Sequence, residues 1–167
     1  GEEARTVCFT GNVGRPNTPL LKELAPVKFA DYVISESTYG NKLHQKRDRL
    51  AVLADIVHKA YARAKVIERD SGSGVILIPA FAVGRAQEIL YLIRELEEAG
   101  RIPSVPVVLD SPMAVSATEV FFLHSEDQAF RKDWGTEHER FLPHKFEATQ
   151  NVDESFLACL REGPAVV

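Results

Sequence analysis

The chain has 167 residues, 45% of them hydrophobic and 26% charged, enough for one domain with a real core and unlike collagen, coiled-coil or disordered sequences. Its net charge of −4 gives no overall basic field, so any nucleic-acid contact has to come from a local patch. Cys8 and Cys159 form no CxxC pair, no basic leader precedes an apolar run, and no stretch reaches about eighteen apolar residues, which argues against a zinc knuckle, a disulfide framework, export or a membrane span and for a reducing cytoplasm.

In chain order, Thr6 to Thr10 (TVCFT) comes first, and its β-branched and aromatic residues predict a strand. It runs into Gly11 to Asn17 (GNVGRPN), dense in turn formers, where Asn12 reads as a turn residue tolerant of left-handed backbone angles. The next element is Asp31 to Gly40 (DYVISESTYG). Tyr32, Val33 and Ile34 predict an extended, buried strand, and the polar run after them delivers Glu36 where that strand leaves the core. In open α/β sheets the carboxyl ends of strands are where loops converge polar groups on a ligand. A solvated loop carboxylate is the competing reading of Glu36.

Lys42, Lys46, Arg47 and Arg49 then surround a single acid, Asp48, as at a solvated helix entry. A helix is predicted from Arg47 to about Arg69, because Leu50, Leu53, Val57, Ala60, Tyr61 and Ala64 recur at helical spacing. Asp55 and Lys59 pair on its wet face, and His58 takes a structural place beside the stripe. Arg69 to Gly74 (RDSGSG) ends the helix, and Val75 to Ile78 is apolar enough to predict burial on both faces. Pro79 to Arg85 (PAFAVGR) leads into a helix with the stripe Ala86, Ile89, Leu90, Ile93 and Leu96, closed by Gly100. Arg85 in its first turn opposes the helix dipole by about 0.3–1 kcal/mol, which an anion nearby would explain and a side chain turned to water would explain equally.

Val105 to Leu109 predicts another buried strand, followed by Ser111 as a helix cap and Pro112 as first helical residue. Met113, Ala117, Val120, Phe121 and His124 follow at helical spacing, which predicts Met113 and the phenylalanines in the core and His124 half-buried. Ser125 to Gln150 is less periodic and reads as short helices or a long excursion, with no metal-ligand spacing between His138 and His144. Asp153 to Arg161 predicts a last short helix, and Ala165 to Val167 begins a strand that is cut off, as in a piece of a longer protein. The alternation of strands and helices predicts an α/β fold with a parallel, Rossmann-like sheet flanked by helices. Neither GxGxxG nor GxxxxGK[ST] is present, so dinucleotide or P-loop binding has no support.

Four of these segments in this order, TGNVGRPNTPLL, ADYVISESTYG, VILIPAFAVGRAQEILYLI and VPVVLDSPMA, resemble the metallo-β-lactamase/β-CASP family of RNA-processing nucleases. The resemblance runs from about residue 6 to residue 118, and Asn151 to Val167 is similar to the segment before that family's next strand. It implies a β-CASP-type fold, with residues 1–40 a remnant of a metallo-β-lactamase domain and 41–167 a truncated β-CASP domain. It also implies a two-zinc hydrolase acting on single-stranded RNA, since two metals activate water and clamp both oxygens of an in-line displacement. Glu36 matches the acidic residue that orients a histidine, itself a proton donor to the leaving group. That histidine and the HxHxDH metal motif are absent from these residues, so no zinc and no hydrolysis are expected of the chain by itself. Asn12 stands where the family carries an aspartate bridging the two zincs, and a neutral amide cannot supply that charge. The alternative is therefore a catalytically silent RNA-binding or scaffold homologue; a DNA repair nuclease of the same superfamily fits less well, because ESTYG and LDSPMA look like the RNA branch. We take Arg85 and Ser111, with the amides at the start of the Ser111 helix, as phosphate contacts. No membrane partner is expected, and self-association into a homo-oligomer is left open.

Overall fold

Two parallel sheets, not one, organise the chain in the computed structural model, which describes residues 4–14, 16, 18–22, 25–43, 46–66, 74–124, 141–161 and 163–167. β1 (Val7–Phe9) and β2 (Tyr32–Ile34) pair in parallel with Cys8 opposite Val33. Asp31 zips the start of the pair: its backbone N–H donates to the Thr6 carbonyl at 2.9 Å, and its carboxylate accepts the Thr6 N–H at 2.7 Å. The predicted burial of β2 does not hold. Tyr32, Val33 and Ile34 are 58%, 64% and 53% exposed, because both faces of this two-stranded sheet are open.

The second sheet has the order β3–β6–β4–β5, formed by β3 (Val75–Ile76), β4 (Val107–Leu109), β5 (Phe146–Ala148) and β6 (Ala165–Val166), all parallel. Position in this order sorts the strands by burial. β4 and β6 are interior, and Val107, Val108, Ala165 and Val166 are buried. β3 lies at an edge, so the expected two-sided burial of Val75 to Ile78 is corrected: Val75 and Ile76 are half-buried and Leu77 is exposed. The architecture is α/β, parallel sheets flanked by helices.

Helix α1 (Arg49–Val66) begins where Asp48 accepts the Ala51 N–H at 3.1 Å, a cap that sets its start two residues after Arg47. Val57 and Ala54 are buried, Asp55 and Lys59 pair at 2.6 Å, and His58 Nε2 meets the Arg101 carbonyl at 2.8 Å. The predicted helix end at Arg69 to Gly74 falls largely outside the described residues. Helix α2 (Arg85–Glu98) carries the core: Leu90, Ile93 and Leu96 are buried with Val57, Val105, Val107, Phe141 and Val166. Each such aliphatic side chain stabilises the fold by about 1.5–3 kcal/mol. Gly100, at φ 62°, ends α2 as predicted, with the Arg101 N–H donating back to the Leu96 carbonyl at 2.9 Å.

Helix α3 (Pro112–Leu123) is rotated relative to the expected stripe. Met113 is 69% exposed and His124 is exposed, while Ala114 and Thr118 are buried and Phe122 lies 4.8 Å, between ring centroids, from Phe141. The polar side chain of Gln87, described below, draws the Ala114–Thr118 face inward. Asn151 caps α4 (Val152–Cys159) by accepting the Glu154 N–H at 3.0 Å, so this helix starts one residue before Asp153. Just before it lies β5, in a stretch read from sequence as irregular. A forked pair, Arg161 Nη1 to Glu147 Oε1 at 2.8 Å and Nη2 to Oε2 at 2.5 Å, ties β5 to the end of α4. That pairing holds the Glu147 carboxyl below the usual carboxylate range and pushes Arg161 up. The readings for Ser125 to Arg140, His138 included, fall outside the described residues. Among the described residues no helix is long and apolar enough to cross a membrane.

Candidate functional site

The last ladder bond of the first sheet runs from the Thr10 N–H to the Ile34 carbonyl at 3.0 Å, and beyond it the backbone turns polar. There the Glu36 carboxylate accepts two backbone N–H groups: Thr38 to Oε2 at 2.9 Å and Val13 to Oε1 at 3.2 Å. One amide belongs to its own loop and the other to the loop after β1. Glu36 therefore clips two strand-exit loops together, although it is fully exposed. The Thr38 amide foremost, then the Thr38 hydroxyl and the Val13 amide, hold its carboxyl below the ordinary glutamate value. For a group with a depressed folded pKa, the stabilisation is complete above the unfolded value and is lost as pH falls through the folded one. In a ¹⁵N-resolved pH titration the Val13 and Thr38 amides should thus shift together, with one midpoint below that of an unstructured glutamate. Independent midpoints, or one at the ordinary value, would break the clip.

Across from Glu36 stand the first turns of α1 and α2. Glu88 on α2 is 13% exposed in its side chain and receives Arg49 Nη1 at 2.6 Å on one oxygen and Arg85 Nη1 at 2.5 Å on the other. The pairing with Glu88 relieves Arg85 of its unfavourable place in the helix dipole. Val13, Gly14, Ser35, Glu36, Tyr39, Arg49, Arg85 and Glu88 line one cleft of about 710 Å³ between the loops that leave β1 and β2 and the first turns of α1 and α2. Lys42 Nζ lies 5.5 Å from the Tyr39 ring centroid at its rim.

Of the residues singled out from sequence, Glu36 and Arg85 meet in this cleft. Asn12 is exposed in the loop whose next residues, Val13 and Gly14, line it. Ser111 does not line it; its oxygen accepts the Ala114 N–H at 3.2 Å as the α3 cap. Sequence reasoning missed Gln87, Glu88, Arg49 and Asp110. Gln87 is fully buried: Oε1 accepts the Gly84 N–H at 2.7 Å, and Nε2 donates to the Ala82 carbonyl at 3.1 Å and the Thr118 hydroxyl at 2.9 Å. It fixes the PAFAVG loop, with Gly84 at φ 81°, against α3. Its signal was a polar residue three positions after a glycine, the spacing of a capping pair. Asp110, at the end of β4, accepts the Thr149 and Ser155 hydroxyls, each at 2.7 Å, and so joins β4 to the β5 exit and α4.

The donor set of these residues does not fit a zinc pair. Among the described residues no group of three or more His, Cys, Asp or Glu could hold a metal ion. The Asn12 amide is neutral, and Glu36 already accepts two backbone amides.

A parallel α/β sheet with a polar cleft at its strand exits, lined by Glu36 and Glu88 as well as Arg49 and Arg85, defines the class as an α/β domain with its candidate ligand site at the strand ends. A family model described as the Beta-Casp domain matches residues 86–167. A ribonuclease of Thermus thermophilus is 35% identical over 113 residues, which cover 67% of this chain and 24% of that protein. A transcription termination factor of Methanosarcina mazei is 38% identical over 75% of the chain and 19% of its own length, and an endoribonuclease of Schizosaccharomyces pombe is 33% identical over 69% and 14%. The chain belongs to the metallo-β-lactamase/β-CASP family, and it spans about a quarter or less of the length of these relatives.

Proposed function

We propose that this chain is part of a zinc-dependent ribonuclease that hydrolyses phosphodiester bonds of single-stranded RNA, with residues 1–40 the edge of its metallo-β-lactamase part and 41–167 its β-CASP domain. One observation carries the reading: Glu36 and Arg85 share a cleft at the strand exits of a chain that contains a β-CASP match and is similar to a ribonuclease. Arg85 meets the RNA backbone as a cation. Ser111, whose oxygen caps α3, has its hydroxyl proton to give to a phosphate at that helix start. Glu36, held anionic by the Thr38 and Val13 amides, orients an imidazole from another part of the full-length protein. Zinc held by other parts of the full-length protein would supply water activation; the described residues of this chain do not fit a pair of zinc ions, and the chain alone is expected to bind RNA without cutting it. The free thiols of Cys8 and Cys159 suit a reducing cytoplasm.

Asn12 favours a second reading, an RNA-binding subunit that does not cleave. The test is a labelled single-stranded RNA incubated with the full-length protein, unaltered and as Asn12→Asp, with zinc and after chelation, alongside elemental analysis of bound metal. Cleavage by the unaltered protein that stops on chelation is expected. If only the Asn12→Asp protein retains zinc and cuts, the silent reading replaces the enzyme. If the RNA is neither bound nor cut by either, both readings fail.

A further inference from the structure

We propose that Phe81, with Val83 and Met113 beside it, forms a stacking platform for a base of single-stranded RNA. The platform rests on the RNA reading above and adds a base contact where that reading has only phosphate contacts. All three side chains stand in solvent: Phe81 is 87% exposed, Met113 69% and Val83 66%. They come from two segments, the loop that leaves β3 and the first turn of α3. Gln87 sets those segments side by side. Its buried Nε2 lies 3.1 Å from the Ala82 carbonyl and 3.4 Å from the Ala114 carbonyl, so Phe81 and Val83, on either side of Ala82, are neighbours of Met113, which precedes Ala114.

The backbone that carries Phe81 is fixed although its ring is uncovered. The Phe81 carbonyl accepts the Ala86 N–H at 3.3 Å, the next carbonyl is held by Gln87 Nε2, and the Gly84 N–H donates to Gln87 Oε1 at 2.7 Å. Such a loop presents its aromatic ring ready placed, and a contiguous apolar surface left in water marks a contact site. Its neighbours in the chain select a nucleotide as the occupant. Arg85 closes the same loop and Ser111 stands two residues before Met113, so each segment of the platform adjoins a side chain assigned above to phosphate. An RNA backbone that follows those two groups carries its bases over the platform. Stacking uses the π-face that every base has and needs no net charge, so it does not depend on the balance of Arg49 and Arg85 against Glu36 and Glu88 in the cleft. The Met113 thioether is polarisable and suits the edge of a stacked ring.

The experiment is fluorescence anisotropy with the full-length protein, chelated so that RNA is bound and not cut, and a labelled oligouridine of about ten nucleotides, within the site sizes of single-strand binders. The forms compared across salt concentrations are the unaltered protein, Phe81→Ala, Phe81→Trp and Met113→Ala. Phe81→Ala should weaken binding by about fivefold to a hundredfold, the range for one lost stacked base. The slope of log affinity against log salt should not change, because no phosphate contact is lost. Phe81→Trp keeps an aromatic face and should keep the affinity, and Met113→Ala should weaken binding by a smaller factor than Phe81→Ala. Ultraviolet cross-linking of the same complex, read by mass spectrometry, should join uridine to Phe81 or Met113. If Phe81→Ala matches the unaltered protein in affinity, the platform is overturned and the RNA reading stands. If that variant also melts at a lower temperature, the patch packs against another part of the full-length protein instead. Equal losses for Phe81→Ala and Phe81→Trp, or cross-links confined to other residues, overturn stacking as well. If the unaltered protein neither binds the RNA when chelated nor cuts it with zinc, both readings fall.

Discussion

Replacing Gln87 by leucine is expected to lower stability by about 2–3 kcal/mol, although the two side chains are close in volume. Gln87 is 0% exposed and reaches four groups outside its own residue: the Gly84 N–H, the Ala82 carbonyl, the Thr118 hydroxyl and, at 3.4 Å, the Ala114 carbonyl. Leucine fills the space and leaves those groups without their partner, at about 1–3 kcal/mol for each that water cannot reach. Gly84 and Ala82 are only partly buried, so solvent relieves some of the cost and the sum stays below the maximum. Thr118→Val is the milder control, because the Thr118 hydroxyl is a single member of the network and also donates to the Ala114 carbonyl at 2.7 Å. Urea unfolding reads both: the midpoint should fall for Gln87→Leu with the slope unchanged. A loss under about 0.5 kcal/mol, on the scale of an ordinary surface change, would show that Gln87 is not what holds the loop. The loop it holds ends at Arg85, so the same substitution should also loosen the cleft.

What the sequence made legible followed from local patterns. The α2 stripe could be read because Leu90, Ile93 and Leu96 face one continuous core, and the Ser111–Pro112 start because cap and first residue are neighbours. β5 could not, since Phe146–Ala148 is short and its middle residue, Glu147, is polar and paired with Arg161 from α4. The α3 face was misplaced because an apolar period cannot foresee that a buried glutamine on another helix will select Ala114 and Thr118. β2 was read as buried because a run of β-branched and aromatic residues describes a strand and says nothing of what covers it.

The candidate site divides the same way. That Glu36 stands at a strand exit was visible in DYVISESTYG, but the amide of Val13 that it accepts belongs to a loop set beside it only by the β1–β2 register. The Arg85–Glu88 pair was available from its spacing alone. Arg49 looked like one more solvated cation, because its link to Glu88 depends on how α1 packs against α2.

α1 is also seated against the start of β3, where Gly74 makes a close approach to it, and Gly74→Ala should expose that contact. A methyl group at Gly74 would come within 2.9 Å of the Ala60 carbonyl oxygen and 2.9 Å of the Ala64 Cβ, with the Pro164 Cα at 3.4 Å. None of these is the free end of a flexible side chain, so α1 or the start of β3 has to move. Reduced freedom of the unfolded chain would favour alanine by about 0.4–1 kcal/mol where the native site can accept it. Overpacking against backbone and a rigid methyl costs about 1–3 kcal/mol, so the net effect is destabilising. Thermal melts of the two forms decide the sign, and a neutral or stabilising result would mean that the α1–β3 contact has slack. The functional consequence follows from the same displacement. Arg49 is carried by α1 and Glu88 by α2, whose neighbour is the buried core, so a shift of α1 carries Arg49 away from the acid it shares with Arg85. Gly74→Ala should therefore weaken the Arg49–Glu88 pair without touching a residue of the cleft, which a double-mutant cycle between Arg49 and Glu88 in each background reads. If the chain is destabilised and the coupling between Arg49 and Glu88 is unchanged, the position of Arg49 is set by Glu88 alone and not by the seating of α1.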